Sequence, residues 1–509
     1  MPTPDDLRRL RELLEAVAAD RSLLVQLPED ERRRLLVAAG RAVHPETEQK
    51  RRLVKAFRKA KRRRVDRHDR ALLAGTGIRA ARASEVFVPP PRLLPGAEPA
   101  RPRELVTPRS CYVCKAEYRR LHAFYDALCP ACAELNYEKR FQTADLRGRV
   151  ALVTGARVKI GYQAALKLLR AGATVVATTR FPHDAARRYA AEPDFAEWGP
   201  RVRLHGLDLR HSPSVEILCS QLGRELPRLD LLVNNACQTV RRPPGFYAHL
   251  LDFEEQPIES LAPELQPLVR AHHECVRLLV RASSPAPDAS GESFGGLVAW
   301  RGGGAGLGLR HSARLSQVRF GFDEGARRED LFPAGVLDAD LQQVDLRAVN
   351  SWRLTLAEVE TPEMIEVQLV NAVAPFILCA RLKALMLRAP GRDKHVVNVS
   401  AMEGVFSRGT KTERHPHTNM AKAALNMLTL TAARDYVRDG IHMNAVDTGW
   451  VTDEDPFLPA TRKREELGFQ PPLDVVDGAA RVLDPFFSGL NAGRHPHGRF
   501  FKDYAPSSW

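Results

Sequence analysis

Val150-Ala-Leu-Val-Thr-Gly-Ala-Arg-Val-Lys-Ile-Gly161, running on into Tyr162-Gln-Ala-Ala-Leu-Lys-Leu-Leu-Arg170, decides how the rest of the chain is read. A short apolar, β-branched run breaks at Gly155, meets a second glycine at Gly161 and passes into a helical pattern. The spacing predicts strand, tight turn and helix. Such a turn aims free backbone N–H groups and the positive end of a helix dipole at one point, which suits a pyrophosphate. Two spaced glycines alone fit a plain strand-to-helix connection equally well.

The text around this stretch alternates in the same way. Ala173–Thr179, Val202–Leu209, Leu229–Cys237 and His395–Ser400 read as further buried strands separated by helical segments. Strands joined by helices in one direction predict an α/β domain with a doubly wound parallel sheet over residues 145–505.

Upstream, residues 1–88 read as a basic helical region. Leu7, Leu10, Leu13 and Leu14 form one apolar stripe, and a second helix starts near Pro28 with Leu35, Leu36 and Ala39. A third runs through Lys50-Arg-Arg-Leu-Val-Lys-Ala-Phe-Arg-Lys-Ala-Lys-Arg-Arg-Arg64 and holds most of the net charge of +14. Leu53, Val54 and Phe57 are expected to pack it on the first two helices, its basic side facing outward. That side is either a solvated face or a surface for nucleic acid or an acidic protein. Closely spaced prolines make 89–107 an extended linker.

Of eight cysteines, four form the pairs Cys111-Tyr-Val-Cys114 and Cys129-Pro-Ala-Cys132 within residues 108–142. Two CxxC turns can complete a tetrahedral thiolate shell, a closed structural zinc site; a redox pair or disulfides are the competing readings. His122, between the pairs, either substitutes as a ligand or packs on the module. A module bounded in this way should be removable, with Cys111 and Cys114, without emptying a nucleotide site further along. The 509 residues, 44% hydrophobic and 27% charged, can bury two or three cores. With no signal-peptide pattern at Met1 and no uncharged stretch long enough for a bilayer, a soluble cytoplasmic protein without membrane contact is expected.

The ordered motifs resemble the short-chain dehydrogenase/reductase family, a Rossmann-type fold. Thr154-Gly-x-x-x-Lys-x-Gly161 stands where that family has TGxxxGxG, Asp208-Leu209 where it has the acidic residue beside adenine, and Asn234-Asn-Ala-Cys237 where it has NNAG. Asn371 matches its structural asparagine, Ser400 its catalytic serine, Lys422 its catalytic lysine, and Asn444-Ala-Val-Asp-Thr-Gly449 its N-x-V-x-P-G strand end. The resemblance implies an oxidoreductase passing hydride between a nicotinamide dinucleotide and a small carbonyl or alcohol, often as a homo-oligomer. It implies cofactor contacts at Thr154, Gly155, Arg157, Lys159, Ile160, Gly161, Thr179, Arg180, Asp208, Leu209, Asn235, Ala236, Lys422 and Gly449.

Three departures qualify it. Lys159 replaces the middle glycine, which either adds an ammonium beside the pyrophosphate or marks a loop that has lost its ligand. Thr418 stands four residues before Lys422, where the family has its tyrosine; an alkyl hydroxyl is a far weaker acid than a phenol of pKa about 10, so His417 or His415 would have to substitute. The segment from about 238 to 344 is an insertion that is expected to fold in part as a cap near the cleft, its tail Gln342–Arg353 either lining a pocket or forming a helix cap with a packed Trp352. Thr178-Thr-Arg180 without a carboxylate favours NADP over NAD. The other reading is a catalytically silent dinucleotide-binding scaffold or sensor that docks a protein or nucleic acid through the cysteine module and the basic helices.

Overall fold

A computed structural model describes residues 2–44, 47–92, 103–283, 304–321, 323 and 330–509. Most of the proline linker, the Ser/Pro run after Ser283 and the first residues of the glycine run at 301–306 lie outside the described residues. The chain divides into two compact units, Met1–Ala71 and Leu72–Trp509.

In the first unit, Thr3 and Asp6 cap the helix Pro4–Ala19 reciprocally, Asp6 N–H donating to Thr3 Oγ1 and Thr3 N–H to Asp6. Glu29–Val43 and the basic helix Thr47–Ala74 follow. The expected packing of these helices on one another is not found. Neither of the first two helices buries a residue, and Leu53, Val54 and Phe57 are 52%, 49% and 67% exposed. A stripe fixes which face a helix would bury, not what buries it.

In the second unit the strands β1 (Glu104–Ser110) and β2 (Glu117–Arg120) form a small antiparallel hairpin. Eight others make one sheet: β3 (Val150–Thr154), β4 (Thr174–Thr179), β5 (Val202–Gly206), β6 (Leu231–Asn234), β7 (Lys394–Ser400), β8 (Ile441–Asp447), β9 (Phe500–Lys502) and β10 (Ala505–Ser507). Their order is β10-β9-β8-β7-β6-β3-β4-β5, parallel except for the last hairpin. β3 and β6 are neighbours, so the chain reverses its direction of travel across the sheet there, and a crevice opens at their carboxyl ends.

Two apolar cores sandwich the sheet. Val153, Val175, Val233 and Val397 pack on the helices Lys159–Arg170 and Val475–Ala492 on one face; Leu152, Val176, Leu232 and Val396 pack on Ser212–Glu225 and Ala374–Leu387 on the other. The continuous helix Thr361–Leu387 is long and apolar enough to cross a bilayer by composition, which the sequence reading did not register, and half of its most apolar window is buried in the protein. The insertion contains a long helix, Gln266–Ser283. Leu268 and Val269 join one core and Cys275 joins the other, so this helix lies along the exposed edge of β5 and covers it.

The cysteine module is not a separate body. Its helix Pro130–Arg140 and its aromatic residues Phe124 and Tyr125 share a core with Val451, Leu473 and Val475, and Ile160 of the glycine turn packs on the same cluster. The seam is also ionic. Arg140 is buried between Asp474, at 2.6 Å, and Asp477, at 3.1 Å, while Tyr125 OH donates to Asp477. Arg481 Nη2 donates to Asn136 Oδ1 at 2.6 Å. Arg140→Ala leaves two buried carboxylates without their cation and should destabilise the protein by about 3–5 kcal/mol, read by chemical denaturation. A shift under about 1 kcal/mol would show that water or Arg481 replaces it.

Candidate functional site

The carboxyl ends of β3 and β6 are stapled by one hydroxyl. Thr154 Oγ1 accepts from the backbone N–H groups of Asn235 and Ala236, both at 3.0 Å, and Asn235 Nδ2 donates to Thr154 O at 2.9 Å. The turn that follows fits only without side chains at two points. A Cβ on Gly155, whose φ is +66°, would lie 2.9 Å from Ala236 Cα, and one on Gly161 would lie 2.3 Å from Gly155 O. No side chain caps the helix Lys159–Arg170, so its first N–H groups face the crevice without an acceptor from a cap residue.

A cleft of about 360 Å³ opens there, lined among others by Gly155, Arg157, Lys159, Ile160, Gly161, Thr179, Arg180, Asp208, Leu209, Asn235 and Ala236. All but three of the sequence-derived cofactor positions therefore meet in one place. Thr154 lies beneath it, and Lys422 and Gly449 are not among its lining residues. Lys159 holds φ 55°, the left-handed backbone that a glycine would adopt at no cost. Burial weakens its charged form, but the carboxylates of Glu454, Asp340 and Asp338 outweigh this and raise its pKa.

Most cleft arginines are already neutralised. Arg157 donates to Asp184 at 2.7 Å; although burial pushes that carboxyl up, Arg157 and Arg188 hold it well below the usual range. Arg210 is bound by Asp208 and by Glu366, each at 2.6 Å. Arg241 pairs with Asp323, and Arg242 with Asp345. Arg180 differs. Among the described residues it has no carboxylate partner, donates to Tyr247 OH at 2.7 Å and lies over that ring at 4.5 Å. Burial would raise the Tyr247 phenol, but Arg180, Arg242 and Arg157 pull its pKa below the ordinary value. Sequence reasoning missed Tyr247, supplied by the insertion, Glu366, supplied by a distant helix, and Arg210, two residues past Asp208, because no motif marks these positions. It placed Asp208 against adenine; that residue lines the cleft, and its carboxylate accepts from Arg210 N, Nε and Nη2.

At the ends of β7 and β8 a second group converges. Ser400 Oγ donates to Asn426 Oδ1 at 2.6 Å, and Lys422 Nζ donates to Val399 O at 2.8 Å. Asn371 lies on a π-turn, Leu369–Val373; its Oδ1 accepts from Gln238 N and its Nδ2 donates to Gln238 O. Thr418 is buried with its hydroxyl unpaired. His417 is buried too, 4.0 Å from Glu363, and its pKa is pushed down to about 4 by burial and by His415. His415 stacks on Trp352 at 3.9 Å, which makes the tail of the insertion a capped, packed segment, while Gln342 lines the cleft.

Residues 149–279 match the family model described as short chain dehydrogenase, and residues 348–465 match that of enoyl-(acyl carrier protein) reductase. An uncharacterized protein of Acanthamoeba polyphaga mimivirus is 31% identical over 393 residues, 74% of this chain and 71% of the viral one. The chain belongs to the short-chain dehydrogenase family. Carbonyl reductase (NADPH) 1 of Sus scrofa is 44% identical over 89 residues, but these are only 17% of this chain and 30% of that protein. Among solved structures, NADPH-bound carbonyl reductase from chicken fatty liver is 17% identical with a TM-score of 0.40, covering 72% of this chain and 100% of its own.

Thr154→Val keeps the shape but strips the acceptor from two backbone amides. It should cost about 1–3 kcal/mol in denaturant unfolding, with the far-UV spectrum unchanged. A neutral result would mean that the staple lies in the packing and not in the hydroxyl.

Proposed function

We propose that this protein is an NADP-linked oxidoreductase that interconverts a small carbonyl compound and its alcohol. The observation that carries the reading is Arg180: at the end of β4 the cleft presents a cation without a carboxylate partner among the described residues, held by an aromatic phenol. A carboxylate there would accept bonds from ribose hydroxyls, whereas a guanidinium with no carboxylate bonded to it suits a 2′-phosphate. The rest of the cleft fits the same ligand. The close approach at Gly155 and Gly161 and the uncapped helix leave room and donors for a pyrophosphate, with the Lys159 ammonium beside it.

When bound, the dinucleotide supplies or accepts a hydride. Lys422 would contact its nicotinamide ribose and Asn371 would hold the π-turn beside the cleft, each by the position it shares with the family; Ser400, which the family places at the substrate oxygen, gives its proton to Asn426 here. The fragment shared with the porcine carbonyl reductase, whose name specifies NADPH, agrees with this cofactor.

Calorimetry should show NADPH bound with a Kd on the order of micromolar and more tightly than NADH. Arg180→Ala should weaken NADPH by about 10- to 100-fold and leave NADH nearly unchanged, as expected for losing a charge-assisted bond to phosphate. Indifference to both dinucleotides would sink the reading and favour the scaffold.

The four cysteines also fit a metal. Their sulfurs all lie within 4.8 Å of one another, and Cys114 and Cys129 are 3.7 Å apart. A tetrahedral shell with Zn–S about 2.3 Å has S–S edges of about 3.8 Å, so Cys111, Cys114, Cys129 and Cys132 would hold structural zinc. His122 takes no part, because its Nδ1 accepts from Phe124 N and Tyr125 N. The module touches the cleft's supports: Trp450 N–H donates to Tyr112 OH at 2.9 Å, next to Gly449, and Ile160 packs on its core. Stripping the metal with a chelator should therefore lower dinucleotide affinity by about tenfold or more, contrary to the expectation of an independent module. Unchanged affinity after complete metal release, measured by elemental analysis, would restore that independence.

A further inference from the structure

None of the groups that the family pattern places at the ends of β7 and β8 is an acid ready for a substrate oxygen. Asn426 Nδ2 donates to Gly404 O at 3.1 Å, which fixes its amide so that Oδ1 accepts the Ser400 hydroxyl proton at 2.6 Å. Ser400 therefore has no proton left for a substrate oxygen. Thr418 offers only an alkyl hydroxyl, and His417, held near pKa 4, is a neutral imidazole at neutral pH, unable to act as an imidazolium acid.

The sheet brings another group to the same spot. Ser400 and Asp447 are register partners at the carboxyl ends of β7 and β8, on strands about 4.8 Å apart. Paired residues of parallel strands share a face. Asn398, two residues before Ser400, donates to Thr429, and Ser400 reaches Asn426, so this is the face covered by the helix Pro416–Tyr436 that carries Lys422. Lys502 follows on β9 with its Nζ 3.9 Å from Asp447 Oδ2, giving a row Ser400–Asp447–Lys502 across three strands. Asp447 is 6% exposed.

Resting on the oxidoreductase reading, we propose that Asp447 is the proton donor for carbonyl reduction and the proton acceptor for alcohol oxidation. With the bound dinucleotide supplying a hydride to the carbonyl carbon, Asp447 would give its proton to the oxygen as the C=O π bond opens, leaving the alcohol, the oxidised dinucleotide and the Asp447 carboxylate. Solvent returns the proton. The reverse reaction runs the same atoms backward.

The surroundings set the group for this task. Burial raises the Asp447 carboxyl to about 6; Lys502 and the Gly449 N–H oppose this, while Glu403 on the turn after β7 and Asp503 beyond β9 add to it. The Tyr112 phenol of the cysteine module, itself raised by burial, is a further titratable group in its field. A carboxyl raised in this way is the acid below about pH 6 and the base above it. Reduction should therefore fall, and oxidation rise, as pH increases through that value.

The test uses full-length protein, NADPH and 4-nitrobenzaldehyde as the carbonyl probe. D447N should bind NADPH with a Kd within about twofold of wild type and lose about 100-fold or more in reduction rate, together with the pH limb near 6. Asp447→Glu should keep a limb at reduced rate. A readout without turnover checks the same assignment: wild type should show a carboxylic-acid C=O infrared band that disappears as pH rises through about 6 and that D447N lacks. If D447N reduces the aldehyde with the wild-type limb, or if Asp447 is already ionised well below that pH, the assignment falls while the oxidoreductase reading stands. If wild type binds no NADPH, both fall.

Discussion

The cleft depends on how closely one turn can approach one strand end. With a Cβ at Gly155 only 2.9 Å from Ala236 Cα, and one at Gly161 2.3 Å from Gly155 O, the backbone of the turn lies against β6 with nothing between. That contact lets a single threonine hydroxyl hold the two amides that follow β6, and it aims the helix Lys159–Arg170 at the crevice. Lys159 keeps the left-handed conformation without being glycine, at a cost of order 1–3 kcal/mol, so the path of the turn outlasts the residue that normally permits it.

Around this contact, charge is distributed by burial. Buried ion pairs repay their desolvation only when geometry is good, which makes them stronger statements about position than about stability. Arg157, Arg210, Arg241 and Arg242 each find a carboxylate, and Arg180 stands apart with a phenol. The same logic joins the cysteine module to the α/β body: Arg140 reaches Asp474 and Asp477, so the module, the last long helix and the loop after β8 are set relative to one another by charges that cannot move without exposing a core.

At the ends of β7 and β8 the parallel register sets a titratable residue where no motif marks one. Helix Pro416–Tyr436 presents Lys422 to β7 with Thr418, not a phenol, one turn before it, and Ser400 spends its proton on Asn426. The adjacent strand places a buried carboxyl at the next position along the same face.

What could be read in the sequence was local. Alternation of apolar strands with helices, the Gly155–Gly161 turn and the CxxC spacing are short-range patterns, and they specify the parallel sheet, many of the residues that line the cleft and the four clustered sulfurs. What failed or went unseen depends on partners far away in the chain. Leu53 and Phe57 had a face but no partner to bury it. Asp208 matched a motif and lines the cleft, but Glu366, which joins it there through Arg210, comes from a helix well beyond the insertion. Tyr247 beneath Arg180, Arg140 against Asp474, and Asp447 beside Ser400 are fixed only once topology sets strand order and register. Periodicity determines which face of each element is buried; the sheet order decides which charges then meet inside it.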